Sequence, residues 1–330
     1  MRSTLRSTAA AIVAIAALAL AGCAASAAES TESDETATTT GDWPRVIEHD
    51  AGTTEIAEQP LVIVSTSVSL TGSLLAIDAP LAASAATSVN PLTDDQGFFT
   101  QWADVAAERG VEVLYPNLEL DLEAIELYEP DLIIGSTIGG DSTLEAYEQL
   151  SEIAPTVMLN YGAAPWTELT EILGEATGLE ANAAAVVETF DAYVADQAAE
   201  IEVPDGDSAL ITYQGADGIG LFMPESPQGA ILADLGFEYL EVPTELASQT
   251  RADASFFTAE NTPVVLEDVQ TLFAIPVGGD PTEAIIADPL LANQPAIAND
   301  ELYIVPVTSF RLDYYSATLL VDYLVEQFGA

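Results

Sequence analysis

The pattern of apolar and polar positions divides this chain into short strands and helices that alternate. Residues 61–65 (Leu-Val-Ile-Val-Ser) are almost unbroken in apolar character, the mark of a strand covered on both faces. Residues 69–77 predict a helix, and 81–87 a weaker strand. The rhythm then repeats: a helix over 121–128 ended by Glu129-Pro130, a buried strand over 131–136, a helix over 143–153 and a strand over 155–159. Leu144, Tyr147, Leu150 and Ile153 share one face of that later helix. Upstream, 46–56 predict a hairpin. Such alternation builds a parallel sheet flanked by helices.

A longer period takes over in the middle. Ala183, Val187, Phe190, Val194 and Ile201 recur at near-helical spacing across 179–202, with no glycine or proline inside, until Pro204-Asp205-Gly206 breaks the run. Beyond the break, strands are expected at 209–213, 221–223, 272–277 and 302–305, and helices at 228–235 and 316–328. The predicted architecture is therefore α/β, with two lobes built on central, mainly parallel sheets and joined by a single long helix. The first lobe would span 43–165, the connecting helical segment 166–204 and the second lobe 205–330.

The first 42 residues follow other rules. Arg2 and Arg6 precede an apolar run over 9–20, and Leu20-Ala21-Gly22-Cys23 then forms a lipobox. The run is too short to cross a hydrocarbon core of ~30 Å, so 1–22 read as a lipoprotein export signal. Cys23, the chain's only cysteine, would carry the lipid. Residues 24–42 are mostly Ala, Ser, Thr and Glu, which bury too little surface to offset chain entropy, so 23–42 predict a flexible tether. The folded body is thereby expected on the outer face of the cytoplasmic membrane, at the cell surface or in the periplasm, held by lipid alone.

Composition narrows the chemistry. Of 330 residues, 54 are acidic and 6 basic, a formal charge of -48 that repels nucleic-acid phosphates. All six cations are arginines; removal of the signal leaves Arg45, Arg109, Arg251 and Arg311. His49 is the only histidine and is read as a surface residue without chemistry, so a site for a bare transition metal is not expected. Phosphate-loop and dinucleotide motifs are absent. Gly140-Asp141-Ser142 resembles the nucleophile motif of surface esterases, but Ser142 would need a nearby base, and the one histidine lies far upstream. The motif reads better as a helix cap, with Asp141 or Ser142 covering the helix that starts near Thr143.

Four longer stretches carry a resemblance. Residues 65–80 (Ser-Thr-Ser-Val-Ser-Leu-Thr-Gly-Ser-Leu-Leu-Ala-Ile-Asp-Ala-Pro), 94–99 (Asp-Asp-Gln-Gly-Phe-Phe), 130–134 (Pro-Asp-Leu-Ile-Ile) and 310–317 (Phe-Arg-Leu-Asp-Tyr-Tyr-Ser-Ala) resemble the periplasmic ferric enterobactin-binding proteins. These are siderophore receptors of ABC importers, with two lobes on a helical backbone. The resemblance runs from about Trp43 to the C-terminus. It implies a monomeric receptor that is not an enzyme, carries no cofactor and binds a ferric siderophore, the iron held by the siderophore alone. An ABC permease and ATPase would be its partners.

Ligands of open α/β sheets sit beyond the carboxyl ends of the strands. The loops there carry Tyr161, Trp166, Tyr213, Phe222, Arg251 and Arg311. Rings supply contact area to a bulky aromatic chelate and guanidinium offsets its charge. Glu123 and Glu260 are the carboxylates that the resemblance assigns to permease docking, one per lobe. Two departures stand out: Asn90-Pro91-Leu92-Thr93 replaces a loop that carries an arginine in the resembled proteins, and Phe222 replaces a tryptophan. The ligand is thus left open between an enterobactin-like catecholate and a hydroxamate or mixed chelate. Haem or cobalamin on the same fold, and an esterase using Ser142, are the alternatives.

Overall fold

A computed structural model describes residues 43–329; the predicted signal, Cys23 and the tether lie outside the described residues. The N-terminal hairpin pairs β1 (Arg45–His49) with β2 (Gly52–Ile56). Next come β3 (Ile63–Ser65), β4 (Leu81–Ser84), β5 (Glu112–Val113), β6 (Leu132–Ser136) and β7 (Thr156–Leu159). These five form a wholly parallel sheet in the order β5-β4-β3-β6-β7. Every residue of β3, β6 and β7 is buried. Ile63, Leu132 and Val157 pack into one cluster, while Val64 and Ile133 pack into another on the opposite face. Two covered faces explain why these strands are apolar at successive positions instead of alternating. The order turns back on itself between β3 and β6, so the loops leaving those strands diverge and open a crevice at their carboxyl ends.

The second sheet holds β8 (Ser208–Tyr213), β9 (Ile219–Phe222), β10 (Gln249–Thr250), β11 (Ala254–Phe257), β12 (Thr271–Ala274) and β13 (Leu302–Ile304), in the order β10-β11-β9-β8-β12-β13. It is mixed: β8, β12 and β13 run parallel, whereas β9, β11 and β10 are antiparallel. The reversal begins at a tight turn, where the Gln214 N–H donates to Gly218 O at 2.8 Å. Gly218 adopts φ +98 and lies against the Phe257 carbonyl, so only glycine fits there. Leu210 and Phe273 enter one core cluster and Ile211 and Leu272 the other, so this sheet too is covered on both faces.

The connecting segment holds a shorter helix followed by the expected long one. Trp166–Thr177 ends at Gly178 in the left-handed conformation (φ +72), and Glu180–Ala198 then runs on as the long bridging helix. The helix over 143–153 also differs in detail: a tight 3-10 turn at Leu144–Ala146 precedes a helix at Tyr147–Ile153.

The lobes meet where the helix Val68–Ala76 approaches the N-terminus of the C-terminal helix, Tyr314–Phe328. Contact is so close at Gly72 that a Cβ there would overlap the Asp313 carboxylate. Asp313 caps the C-terminal helix: its Oδ1 accepts from the Ser316 N–H at 2.8 Å, and its own N–H donates to Ser316 Oγ at 2.8 Å. Across the junction, Gln101 Nε2 donates to Asp313 Oδ2 at 3.4 Å. Burial raises the Asp313 pKa above the ordinary 3.8, against these hydrogen bonds, which lower it. The folded state therefore holds this proton more tightly than the unfolded chain. Its contribution to stability is full below the unfolded pKa and is lost as pH rises through the folded value. Asp313→Asn keeps the cap but cannot ionise. Its urea-unfolding free energy relative to wild type is expected to improve between about pH 4 and pH 7; a pH-independent difference would show that burial does not govern this group.

Candidate functional site

The carboxyl ends of β3, β6 and β7 and the ends of β8, β9 and β11 border three adjoining cavities of about 70, 450 and 280 Å³. The two larger ones lie near or within the ~300–1,000 Å³ typical of small-molecule sites. Phe310 and Arg311 line all three. The short 3-10 turn Val307–Phe310 delivers them, directly before the Asp313 cap.

The four described arginines divide into two pairs. Arg45 bonds Glu180 and the Glu175 carbonyl. Arg109 donates to the carbonyls of Leu75 and Ala79, beside Asp78, and ties off the end of the helix Val68–Ala76. Both are structural. The other two line the same 450 Å³ cavity. Arg251 sits 4.6 Å over the Phe256 ring and pairs with Asp253 at 3.3 Å. Arg311 is exposed and makes no ion pair with any described residue. Its guanidinium carbon lies 4.8 Å from the centre of the Tyr161 ring and 5.3 Å from that of Phe310. Two aromatic faces thus hold a cation in place while leaving its hydrogen-bond donors unclaimed.

Tyr161 is fixed in turn. Its hydroxyl donates to Asp141 Oδ1 at 2.9 Å, and the other carboxylate oxygen accepts from Ser67 Oγ at 2.5 Å and from the Ser69 N–H at 3.0 Å. Asp141 therefore joins the loops after β3, β6 and β7, and places its charge at the N-terminus of the helix Val68–Ala76. Burial, then the nearby Asp141 charge, pushes the Tyr161 phenol up to about 12. It is a neutral donor at physiological pH. The expected cap of the next helix is only partly present: Asp141 serves a different helix, and Ser142 Oγ accepts from the Leu144 N–H at 3.5 Å. His49 is half-buried in the hairpin, not free on the surface; its ring bonds Thr54 and accepts from the Ala51 N–H.

On the second lobe, Tyr213 and Phe222 line the 450 Å³ cavity, and the Tyr213 hydroxyl donates to Asp288 at 2.8 Å. Burial and that bond push the Tyr213 phenol to about 12. Trp166 reaches the cleft only at its smallest cavity. Its ring is 4% exposed and packs edge-on against Phe190 and Tyr314, so it touches only the 70 Å³ floor cavity. Glu123 and Glu260 are both exposed, Glu123 in the first turn of the helix Leu122–Leu127. Sequence reasoning missed Phe310, Phe256, Gln228 and Asp253 as cleft residues. Phe310 was detectable as a large apolar residue beside the most informative arginine; Gln228 lies in a predicted helix whose facing side the sequence does not reveal, and Phe256 and Asp253 depend on strands that it did not predict. Among the described residues no cluster of three or more His, Cys, Asp or Glu is placed to hold a metal, and no helix is long and apolar enough to cross a membrane.

This chain belongs to the periplasmic binding protein family, whose model matches residues 62–307. It is 44% identical over 294 residues, 87% of this chain and 92% of the relative, to the ferric enterobactin-binding periplasmic protein FepB of Escherichia coli O6:H1. Among solved structures, holo-ViuP superposes with a TM-score of 0.78 at 31% identity, covering 88% of this chain and 97% of that one. Staphylococcus aureus SirA, complexed with staphyloferrin B, shares the fold at a TM-score of 0.67 and 20% identity, covering 86% and 98%. The two-lobed α/β architecture is common to them.

Asp141→Ala would strand the Ser69 N–H and free the Tyr161 ring. Equilibrium unfolding is expected to show a loss of about 2–3 kcal/mol, the cost of leaving a buried donor without its charged acceptor. A loss below about 0.5 kcal/mol would mean that the loops hold together without it.

Proposed function

We propose that this protein is a monomeric receptor that binds a ferric siderophore in the interlobe cleft and passes it, unchanged, to an ABC permease driven by its ATPase. The observation that carries the reading is the unpaired Arg311 guanidinium, stacked between Tyr161 and Phe310 where three cavities meet. A ferric siderophore is a rigid, largely apolar body with acidic oxygens around the metal. Ring faces match its bulk, and a cation held without a counter-ion matches its oxygens. The similarity to FepB, named for ferric enterobactin, supports the same reading. So does the absence of a nucleophile–base pair at Ser142, whose hydroxyl serves a local turn while the sole histidine is engaged in the hairpin.

Lipid on Cys23 would hold the receptor at the outer face of the cytoplasmic membrane. Glu123 and Glu260, exposed on separate lobes, would meet cationic pockets of the permease. The iron is cargo, held by its own chelator.

Titration of the intrinsic tryptophan fluorescence with ferric catecholates and hydroxamates is expected to give sub-micromolar quenching by at least one chelate, and Arg311→Gln to weaken it about 10–100-fold, the worth of a charge-assisted hydrogen bond. Binding of no ferric chelate, while haem or cobalamin binds, would transfer the site to those ligands. In cells, Cys23→Ala and the double variant Glu123→Ala/Glu260→Ala are each expected to cut chelate uptake several-fold while the purified proteins retain ligand affinity. Unimpaired uptake in either variant would remove the role given to those residues.

A further inference from the structure

Among the described residues, the charged side chains that border the three cleft cavities are Arg251, Arg311, Asp141, Asp253 and Asp313. Two of the carboxylates are already committed. Asp141 accepts from Ser67, Ser69 and Tyr161, and Asp313 is buried as the cap of the C-terminal helix. Asp253 differs. It is half-exposed, borders both the floor and the 450 Å³ cavity, and its only side-chain partner among the described residues is Arg251, at 3.3 Å. Backbone geometry holds it there. The Arg251 N–H donates to Ala254 O at 2.8 Å, closing the turn between β10 and β11, and the Met223 N–H donates to Asp253 O at 2.9 Å beside Phe222. The turn therefore sets a cation and an anion side by side on the wall that faces Arg311.

The consequence is electrostatic. Of the two cleft cations, one is compensated by Asp253, which leaves a single uncompensated guanidinium in a chain whose formal charge is -48. Siderophore classes differ in just this property. Three catecholates bring six negative charges to a ferric ion and leave a trianion, whereas three hydroxamates bring three and leave a neutral complex. A carboxylate on the cavity wall opposes a trianion in that cavity and is nearly indifferent to a neutral complex.

We propose that Asp253 is a specificity-determining residue that lowers the cleft's affinity for polyanionic chelates and so favours ferric ligands of low negative charge. The inference rests on the receptor reading above and deepens it. Its test compares two probes, a trianionic ferric tris-catecholate and a neutral ferric tris-hydroxamate, titrated into wild type, Asp253→Asn and Arg251→Gln at low and high salt. Asp253→Asn is expected to raise the affinity ratio of trianion to neutral complex about tenfold at low salt. Arg251→Gln, which leaves the carboxylate unopposed, is expected to lower that ratio by a similar factor. Both changes should shrink as salt screens the wall. An unchanged ratio in either variant, or equal weakening of both chelates in Asp253→Asn, would overturn the assignment and leave the receptor reading intact. Binding of neither chelate by wild type would overturn the receptor reading, and this inference with it.

Discussion

The contact between Gly72 and Asp313 is the constraint on which the arrangement of the lobes depends. A glycine in the middle of the helix Val68–Ala76 costs helix stability, yet no other residue admits the capping carboxylate of the C-terminal helix so closely. That approach brings the loops after β3, β6 and β7 to face the ends of β8, β9 and β11. It also sets the distance between Arg311, two residues before the cap, and Tyr161 on the opposite lobe. A buried carboxylate is an expensive joint. Here its oxygens are met by Ser316 and Gln101, so the joint is satisfied from both lobes.

Scarcity of positive charge gives the cleft its character. A surface with many lysines hides a binding arginine among equals. In this chain four guanidiniums occur in the folded part, and two are consumed in fastening helix ends. What remains lines one cavity: Arg251 lies over a ring and beside Asp253, whereas Arg311 is positioned by rings alone. Aromatic positioning matters physically, because an ion pair would have neutralised Arg311, whereas a ring face orients it and leaves its charge available. The surrounding acidic surface sharpens the contrast, since beyond about 8–10 Å in physiological salt its repulsion is screened.

Much of this plan was legible along the chain. The buried strands β3, β6 and β7 announced themselves because both faces are covered, and the hairpin and C-terminal helix fell within a few residues of their predicted limits. Arg311 was found through its local context. Other features depend on partners distant in sequence. β10 is a two-residue polar strand that exists by pairing with β11, which in turn pairs with β9, so the Arg251–Asp253 turn could not be foreseen. Trp166 looked like a cleft aromatic because it follows a strand-end loop. Phe190 and Tyr314 draw it into the core instead. Gly178 divides the connecting segment at a left-handed turn, and the long helix that follows starts at Glu180, within a residue of the start its apolar spacing predicts.

The two tyrosines that border the cleft share one property with a wider consequence. Each directs its hydroxyl to a carboxylate of the protein, Tyr161 to Asp141 and Tyr213 to Asp288, and so has its one hydrogen-bond donor already engaged. Each phenol is left with its oxygen lone pairs, which can accept but not donate. The Tyr161 ring in turn carries the Arg311 guanidinium, whose carbon lies 4.8 Å from its centre. Hydroxyls tethered to the protein's own carboxylates hold these rings in place, so this part of the cleft is shaped before anything enters it.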